Sequence, residues 1–325
     1  MAGVLEVVGI GSDASLWHAL RRPGGSWQPT AGPVRDRTSG GPSNLLDVAC
    51  SRTTEGALHV VAVGVNGDLW HTIRDAHGAW QSYFGNVGDQ ARSGPPFVHS
   101  VSILGIGTGL HVIGAAGWGL WHTLRREDGT WSSFDCIGDG TADGPRGLRE
   151  SGIGSEDGKH LLAVGIAEHT TMWFITATAS RAGARWDGPY RAVHDQAIGG
   201  PPGFTKVSCA GAGGVIHVVA VGNDGQLWHN VFDRDTAGLF TSFDPIARQS
   251  TRGPPSFVDV GCASDDGRSV HVVGLGSDGR LWHTIRNADG TWQPTFELVE
   301  SPSSLRAASY HAVDSAGGEG LNVTR

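Results

Sequence analysis

Charged residues are scarce in this chain. Lys and Arg number 24 and Asp and Glu 32 among 325 residues, and the basic ones gather into no run. Nucleic-acid binding needs a concentrated basic surface, so that partner is excluded, and the formal charge of −8 points the same way. Long apolar stretches are missing too, as is a basic amino-terminal segment followed by an apolar run and a cleavage site. The reading is a soluble protein without a membrane span, cytoplasmic or secreted without a recognisable signal peptide. Cysteine is limited to four residues with no CxxC pair. Cys50, Cys209 and Cys262 end equivalent segments (LLDVAC, TKVSC, VDVGC) and read as small buried strand residues, with Cys136 placed elsewhere. Free thiols are expected, not disulfides or metal ligands. No G-x-S-x-G, HExxH or glycine-rich phosphate loop occurs, which weighs only lightly against an enzyme because active sites assemble from distant loops. No cofactor is expected.

Glycine and tryptophan, by contrast, are abundant, at 51 and 12 residues. Short strands joined by tight turns, with aromatics packed between sheets, use that mixture; a helical bundle does not. A pair aligns six times: Leu16-Trp17, Leu69-Trp70, Leu120-Trp121, Met172-Trp173, Leu227-Trp228 and Leu281-Trp282. The intervals between these Trp residues are 53, 51, 52, 55 and 54. A second aromatic follows each: Trp27, Trp80, Trp131, Trp186, Phe240 and Trp292. Such a period marks a repeat architecture.

Each unit reads as four strands. In the last full copy they fall near Ser256–Cys262, Ser269–Leu275, Arg280–Asn287 and Thr291–Val299, separated by the turn signals SDDG, GSDG and NADG. Gly-Pro pairs (41-42, 94-95, 144-145, 200-201, 253-254) mark the start of each new innermost strand, because Pro cannot donate to a ladder. Six such units predict an all-β protein, a six-bladed β-propeller with four antiparallel strands per blade, filling residues 1–325 as one domain. Blade 1 takes residues 4–35 plus 304–313, and blades 2 to 6 take 44–88, 97–138, 147–194, 203–247 and 256–300. The chain starts at a second strand, so Leu305–Tyr310 is expected beside Leu5–Ile10, closing the ring and removing open edges. Leu321–Arg325 echoes the start of a second strand and has no assigned place.

The run G-x-LWHTIR-x-x-DG-x-W, clearest at Leu281–Trp292, resembles the tectonin-like propellers and more closely the fucose-binding lectins typified by the Photorhabdus lectins. The best-known members of that family have seven blades, against six counted here. The resemblance implies a sugar-binding propeller with shallow sites between neighbouring blades.

His follows the third-strand Trp in five blades: His18, His71, His122, His229 and His283, with Phe174 in blade 4. Arg comes three residues later as Arg21, Arg74, Arg125 and Arg286, with Ala177 and Phe232 in blades 4 and 5. Alternation puts Trp70, Thr72 and Arg74 on one face and Leu69, His71 and Ile73 on the other. One reading makes these residues blade-interface packing. The functional reading stacks sugar C–H groups on Trp17, Trp27, Trp70, Trp80, Trp121, Trp131, Trp282 and Trp292, with Arg21, Arg74, Arg125 and Arg286 bonding hydroxyls. It leaves blades 4 and 5 without sites. A second series, His59, His111, His160, His217 and His271 with Glu6, reads as a hydrogen-bond network with third-strand Thr and Trp. Asp36, Asp89, Asp139 and Asp195 precede the Gly-Pro pairs on one rim, as turn residues or as acceptors for hydroxyls.

The favoured function is a multivalent lectin for fucose, O-methylated sugars or other glycans or small ligands, without catalytic residues or metal. A homo-oligomer is compatible with it. The alternative is an enzyme (hydrolase, lyase or cyclase) with a single site at the channel mouth, suggested by the divergence of blade 4 at Glu168, His169 and Arg181. A pocket lined by residues that break the repeat favours the enzyme; pockets lined by residues that keep it favour the lectin.

Overall fold

Five-residue hairpins turn the second strand into the third in every blade but blade 3, and Gly67, Gly225 and Gly279 take the left-handed conformation there, with φ of 79°, 74° and 75°. Short apolar runs between such turns can pair only with their chain neighbours, and antiparallel ladders result. The computed structural model of the chain describes residues 3–28, 31–34, 41–42, 44–117, 119–137, 145, 147–236, 239–299 and 310–317. It is a six-bladed β-propeller of antiparallel sheets.

From the inside outward, blade 2 holds Leu45–Arg52, Leu58–Gly64, Leu69–Arg74 and Gly85–Asn86. Blade 3 holds Ser100–Ile106, Gly109–Ala116, Gly119–Arg125 and Asp135–Ile137. Blade 4 holds Glu150–Gly154, His160–Ile166, Met172–Ser180 and Gly183–Ala192. In blade 5, Phe204–Ala212, Val215–Gly222 and Leu227–Asp233 are followed by two short outer pieces, Leu239–Phe240 and Asp244–Pro245. Blade 6 holds Phe257–Ala263, Val270–Gly276, Leu281–Arg286 and Glu297–Leu298. Its outer ladder is much shorter than Thr291–Val299. After the Arg286–Trp292 bridge the chain swings away, and the Pro294 carbonyl accepts Thr251 N–H of the preceding linker at 2.9 Å.

Blade 1 joins Leu5–Gly11, Leu16–Arg21 and Gly32–Val34 to an innermost strand from the other end of the chain, Tyr310–Gly317. Closure is as expected, but the partner of Leu5–Ile10 lies seven residues beyond Leu305–Tyr310: Leu5 opposes Gly317 and Ile10 opposes Ala312. Burial sets this register, because Val313, Ser315 and Ala316 are buried and Asp314 Oδ2 accepts Cys50 N–H of blade 2 at 2.8 Å. Residues 304–309 and 321–325 lie outside the described residues.

The second strands Leu5–Gly11, Leu58–Gly64 and Val270–Gly276 are buried at every position, which explains their unbroken apolar character. The core is divided among the junctions, each apolar cluster drawing on two neighbouring blades, as Val8 and Ile10 of blade 1 with Val48 and Val60 of blade 2. Cys50, Cys209 and Cys262 are buried free thiols in innermost strands, raised in pKa chiefly by burial, and Cys136 is exposed on an outer strand.

Candidate functional site

The alternation of the third strand decides where its polar residues go. His71 faces forward to blade 3 and meets Trp131 edge-on at 5.4 Å, while Arg74 faces back to blade 1. The same edge-to-face contact recurs as His18–Trp80, His122–Trp186, His229–Trp292 and His283–Trp27. The second-strand His bonds the third-strand His of its own blade, in place of the expected Thr and Trp. The pairs are His59–His71 (3.0 Å), His111–His122 (2.9 Å), His217–His229 (2.8 Å) and His271–His283 (2.9 Å). Thr123 turns the other way and donates to the Ser132 carbonyl at 2.8 Å. Burial pushes His59 and His122 down to about 3 and His111 and His217 to about 4, with His71, His229 and His283 also well below the usual range. His59–His71, His111–His122 and His217–His229 are thus neutral hydrogen-bonded pairs.

Two junctions depart from this scheme. In blade 1, Glu6 replaces the second-strand His, bonds His18 and pairs with Arg52 at 2.7 Å and Arg74 at 3.4 Å. Burial pushes the Glu6 carboxyl up, but the bond and charge of His18 and both arginines outweigh it and leave it lowered. In blade 4 the register places Leu162 at the second-strand His position, and His160 lies two residues away at the hairpin, outside the series. Leu162 and Phe174 therefore form an apolar junction with Phe232 and Phe240, the Phe174 and Phe240 rings meeting edge-on at 4.9 Å.

The sequence-selected residues lie in these junctions. Trp17, Trp70, Trp121 and Trp282 are half-buried against the apolar clusters, and the indole N–H groups of Trp17 and Trp282 reach Asp13 and Asp278 of their own hairpins. Trp131 and Trp292 are buried; Trp27 and Trp80 are half-buried. Arg21, Arg74, Arg125 and Arg286 are half-buried, each guanidinium lying over the hairpin glycine of its own blade, Gly25, Gly78, Gly129 or Gly290. On the rim, Asp89 is exposed in the turn Val87–Gln90, and Asp195 is exposed beside His194 at 3.3 Å. Asp36 and Asp139 lie outside the described residues.

Two cavities stand out. The channel, about 760 Å³, is lined by the six innermost strands. Asp47, Glu150, Lys206 and Asp259 share one level of it, and Lys206 Nζ meets Glu150 Oε1 at 2.9 Å. Asp47, Asp259 and Asp314 each strap the next blade by accepting a backbone N–H, from Val101, Val313 and Cys50. Burial pushes Glu150 up to about 7, Asp259 to about 6 and Asp314 to about 8, with neighbouring carboxylates adding to the effect. Asp47 and Asp259 stand at the same place in the equivalent segments LLDVAC and VDVGC, where blades 4 and 5 carry Glu150 and Lys206.

The second cavity, about 630 Å³, is a cleft between blades 3 and 4. Arg149 Nη2 and Glu168 Oε1 are 2.7 Å apart, and both side chains remain more than half exposed, at 63% and 51%. Trp173 forms part of the wall, its N–H on Thr171 Oγ1 at 3.1 Å, and the exposed His99 and His169 flank the opening. Register gives Arg149 the counterparts Leu46, His99, Thr205 and Val258, and Glu168 the counterparts Ser12, Val65, Asn223 and Ser277. The ion pair of the cleft thus comes from positions where the repeat varies, and part of its wall from the repeated Trp173. Its hairpin is strained: Thr170 holds φ of 62° where blades 2, 5 and 6 have glycine. Gly203 accommodates it, since a Cβ there would lie 1.9 Å from Thr170 Oγ1. Of the divergent residues noted in the sequence, Glu168 and His169 belong to this cleft, and Arg181 sits at the tip of the outer hairpin.

Solved structures of similar fold include lectins and a glycoside hydrolase. The structure is similar to the fucose-specific lectin of Aleuria aurantia, with a TM-score of 0.63 and 14% identity, covering 93% of either chain. It is similar to the BP39L lectin of Burkholderia pseudomallei, with a TM-score of 0.60 and 20% identity over 90% of this chain and 81% of that one. An α-L-arabinofuranosidase of Clostridium thermocellum also aligns, with a TM-score of 0.54 and 13% identity over 81% and 96%. No family model matches the sequence, and no curated protein matches it. At these identities the likeness concerns the fold alone. No helix among the described residues is long and apolar enough to cross a membrane.

Proposed function

We propose that the protein is a carbohydrate-binding lectin whose principal site is the cleft between blades 3 and 4. The carrying observation is the exposed Arg149–Glu168 pair beside Trp173. An exposed ion pair adds little stability, so the ring gains almost nothing from it. A donor fork beside an acceptor pair suits adjacent sugar hydroxyls, and an indole supplies a surface for C–H groups. The volume lies within the usual range for small-ligand sites. Fucosides and O-methylated sugars are the first ligands to try, because the Aleuria protein is fucose-specific. In this reading the Trp–His–Arg set holds the ring together, and avidity would have to come from association of chains. A glycan array tests it: wild-type protein binds fucosylated or methylated glycans, and Arg149→Ala reduces that binding by at least about tenfold. Binding that ignores Arg149 and Glu168 would sink the assignment.

The enzyme reading keeps two observations in its favour: the Arg149–Glu168 pair, which departs from the repeat, and Glu150, pushed up to about 7 chiefly by burial beside Lys206 in the channel. Turnover of aryl glycosides that is abolished by Glu150→Gln would favour it.

A further inference from the structure

Blade 4 carries a second polar cluster at its first hairpin, where the chain reads Ser155-Glu156-Asp157-Gly158-Lys159-His160. The matching hairpin of blade 6 has the same length. Asp157 accepts backbone N–H groups from Lys159 and His160 as Asp266 does from Arg268 and Ser269. Glu156 then corresponds to Asp265, whose carboxylate meets His271 Nε2 at 3.1 Å. Blade 4 has Leu162 where blade 6 has His271, so Glu156 loses that partner. Its side chain is only 6% exposed, and neither carboxylate oxygen makes a hydrogen bond among the described residues; it pairs with Arg234 of blade 5, with Nε at 3.1 Å. The Arg234 guanidinium also contacts His160 Nδ1 and lies 3.7 Å from Asp157 Oδ2. His160 Nδ1 is itself 2.7 Å from Asp157 Oδ2, and one ring nitrogen cannot both accept from Arg234 and donate to Asp157. The lone pairs of three side chains thus converge on a point that a cation now fills. One ligand atom from each of Glu156, Asp157 and His160 lies within 4.8 Å of the others.

We propose that Glu156, Asp157 and His160 form a binding site for one divalent transition-metal ion of zinc type, in competition with Arg234. Two carboxylates and an imidazole are ligands that zinc accepts, leaving a fourth position for water. Arg234 is 40% exposed and has an alternative partner in the exposed Asp235, 3.7 Å from Nη2, so the guanidinium has a place to go. The site lies on the hairpins between blades 4 and 5 and is independent of the sugar cleft.

Zinc titration of the chelator-treated full chain, followed by calorimetry, tests the proposal. The expected result is one zinc per chain, weakened at least about tenfold by His160→Gln or Glu156→Gln and tightened about tenfold by Arg234→Met. Absence of zinc binding by the wild-type protein, or affinity unchanged in both ligand variants, overturns it. Cobalt provides a second measurement on the wild-type protein should Arg234→Met fail to fold. Visible absorption bands that vanish with His160→Gln support the site, and no bands at one equivalent contradict it.

Discussion

Blades 4 and 6 share strand register and inner hairpin length, yet place their polar residues in opposite regions. Blade 6 buries its polar groups: His271 and His283 bond each other, and Asp265 takes the outer nitrogen of His271. Blade 4 fills the same two positions with Leu162 and Phe174, and its neighbour answers with Phe240 in place of Trp. Its charged and imidazole groups sit at the rims instead: Arg149, Glu168 and His169 on one, Glu156, Asp157 and His160 on the other. A residue that keeps the repeat therefore serves the junction, and one that breaks it is free to serve a ligand.

The largest test of this contrast is acid. An imidazole with its folded pKa pushed down contributes stability present above the unfolded value of about 6.5, lost as pH falls toward the folded value. At pH 5 each such imidazole costs about 2 kcal/mol. Seven are lowered in this way, while Glu150, Glu156, Asp259 and Asp314 are raised and act in the opposite sense. The imidazoles outnumber them. Denaturant midpoints should peak near neutrality and fall by several kcal/mol equivalent toward pH 5; a flat profile would contradict the neutral pairs.

The apolar junction gives the next effect. Phe174→Ala should cost about 3–5 kcal/mol in chemical unfolding, as for any large buried aromatic. Phe174→His alone should be destabilising by about 2 kcal/mol, since the imidazole enters an apolar cluster and the Arg191 guanidinium over the ring disfavours its charged form. Adding Leu162→His rebuilds the blade 6 pair and should recover about 1 kcal/mol of that loss in a double-mutant cycle. A cycle without coupling would mean that the pair is not what the position supports. The smallest effect on stability belongs to Arg149→Ala, within about 0.5 kcal/mol of wild type, because the pair it breaks is exposed.

Much of this was legible in the repeat. The six Leu-Trp positions and the Asp-Gly turns define the blades, and the third-strand His and Arg series mark two opposed blade faces. Other features depend on contacts that a linear alignment does not carry. Spacing along the repeat points to Leu305 for the closing strand, whereas burial and the Asp314–Cys50 bond select Tyr310–Gly317. His160 looks like a member of its series until pairing assigns Leu162 to the place. Arg149 and Glu168 are 19 residues apart and meet only when the first two strands of blade 4 pair, Glu150 opposite Ile166.

The central claim, that the sugar site is the repeat-breaking cleft and not the repeated Trp–Arg junctions, is tested most directly by calorimetric stoichiometry. Titration with the best glycan from the array, using wild type, Arg149→Ala and Arg286→Met, should give one site per chain, lost in Arg149→Ala and kept in Arg286→Met. About four sites per chain, diminished by Arg286→Met and indifferent to Arg149, would contradict it.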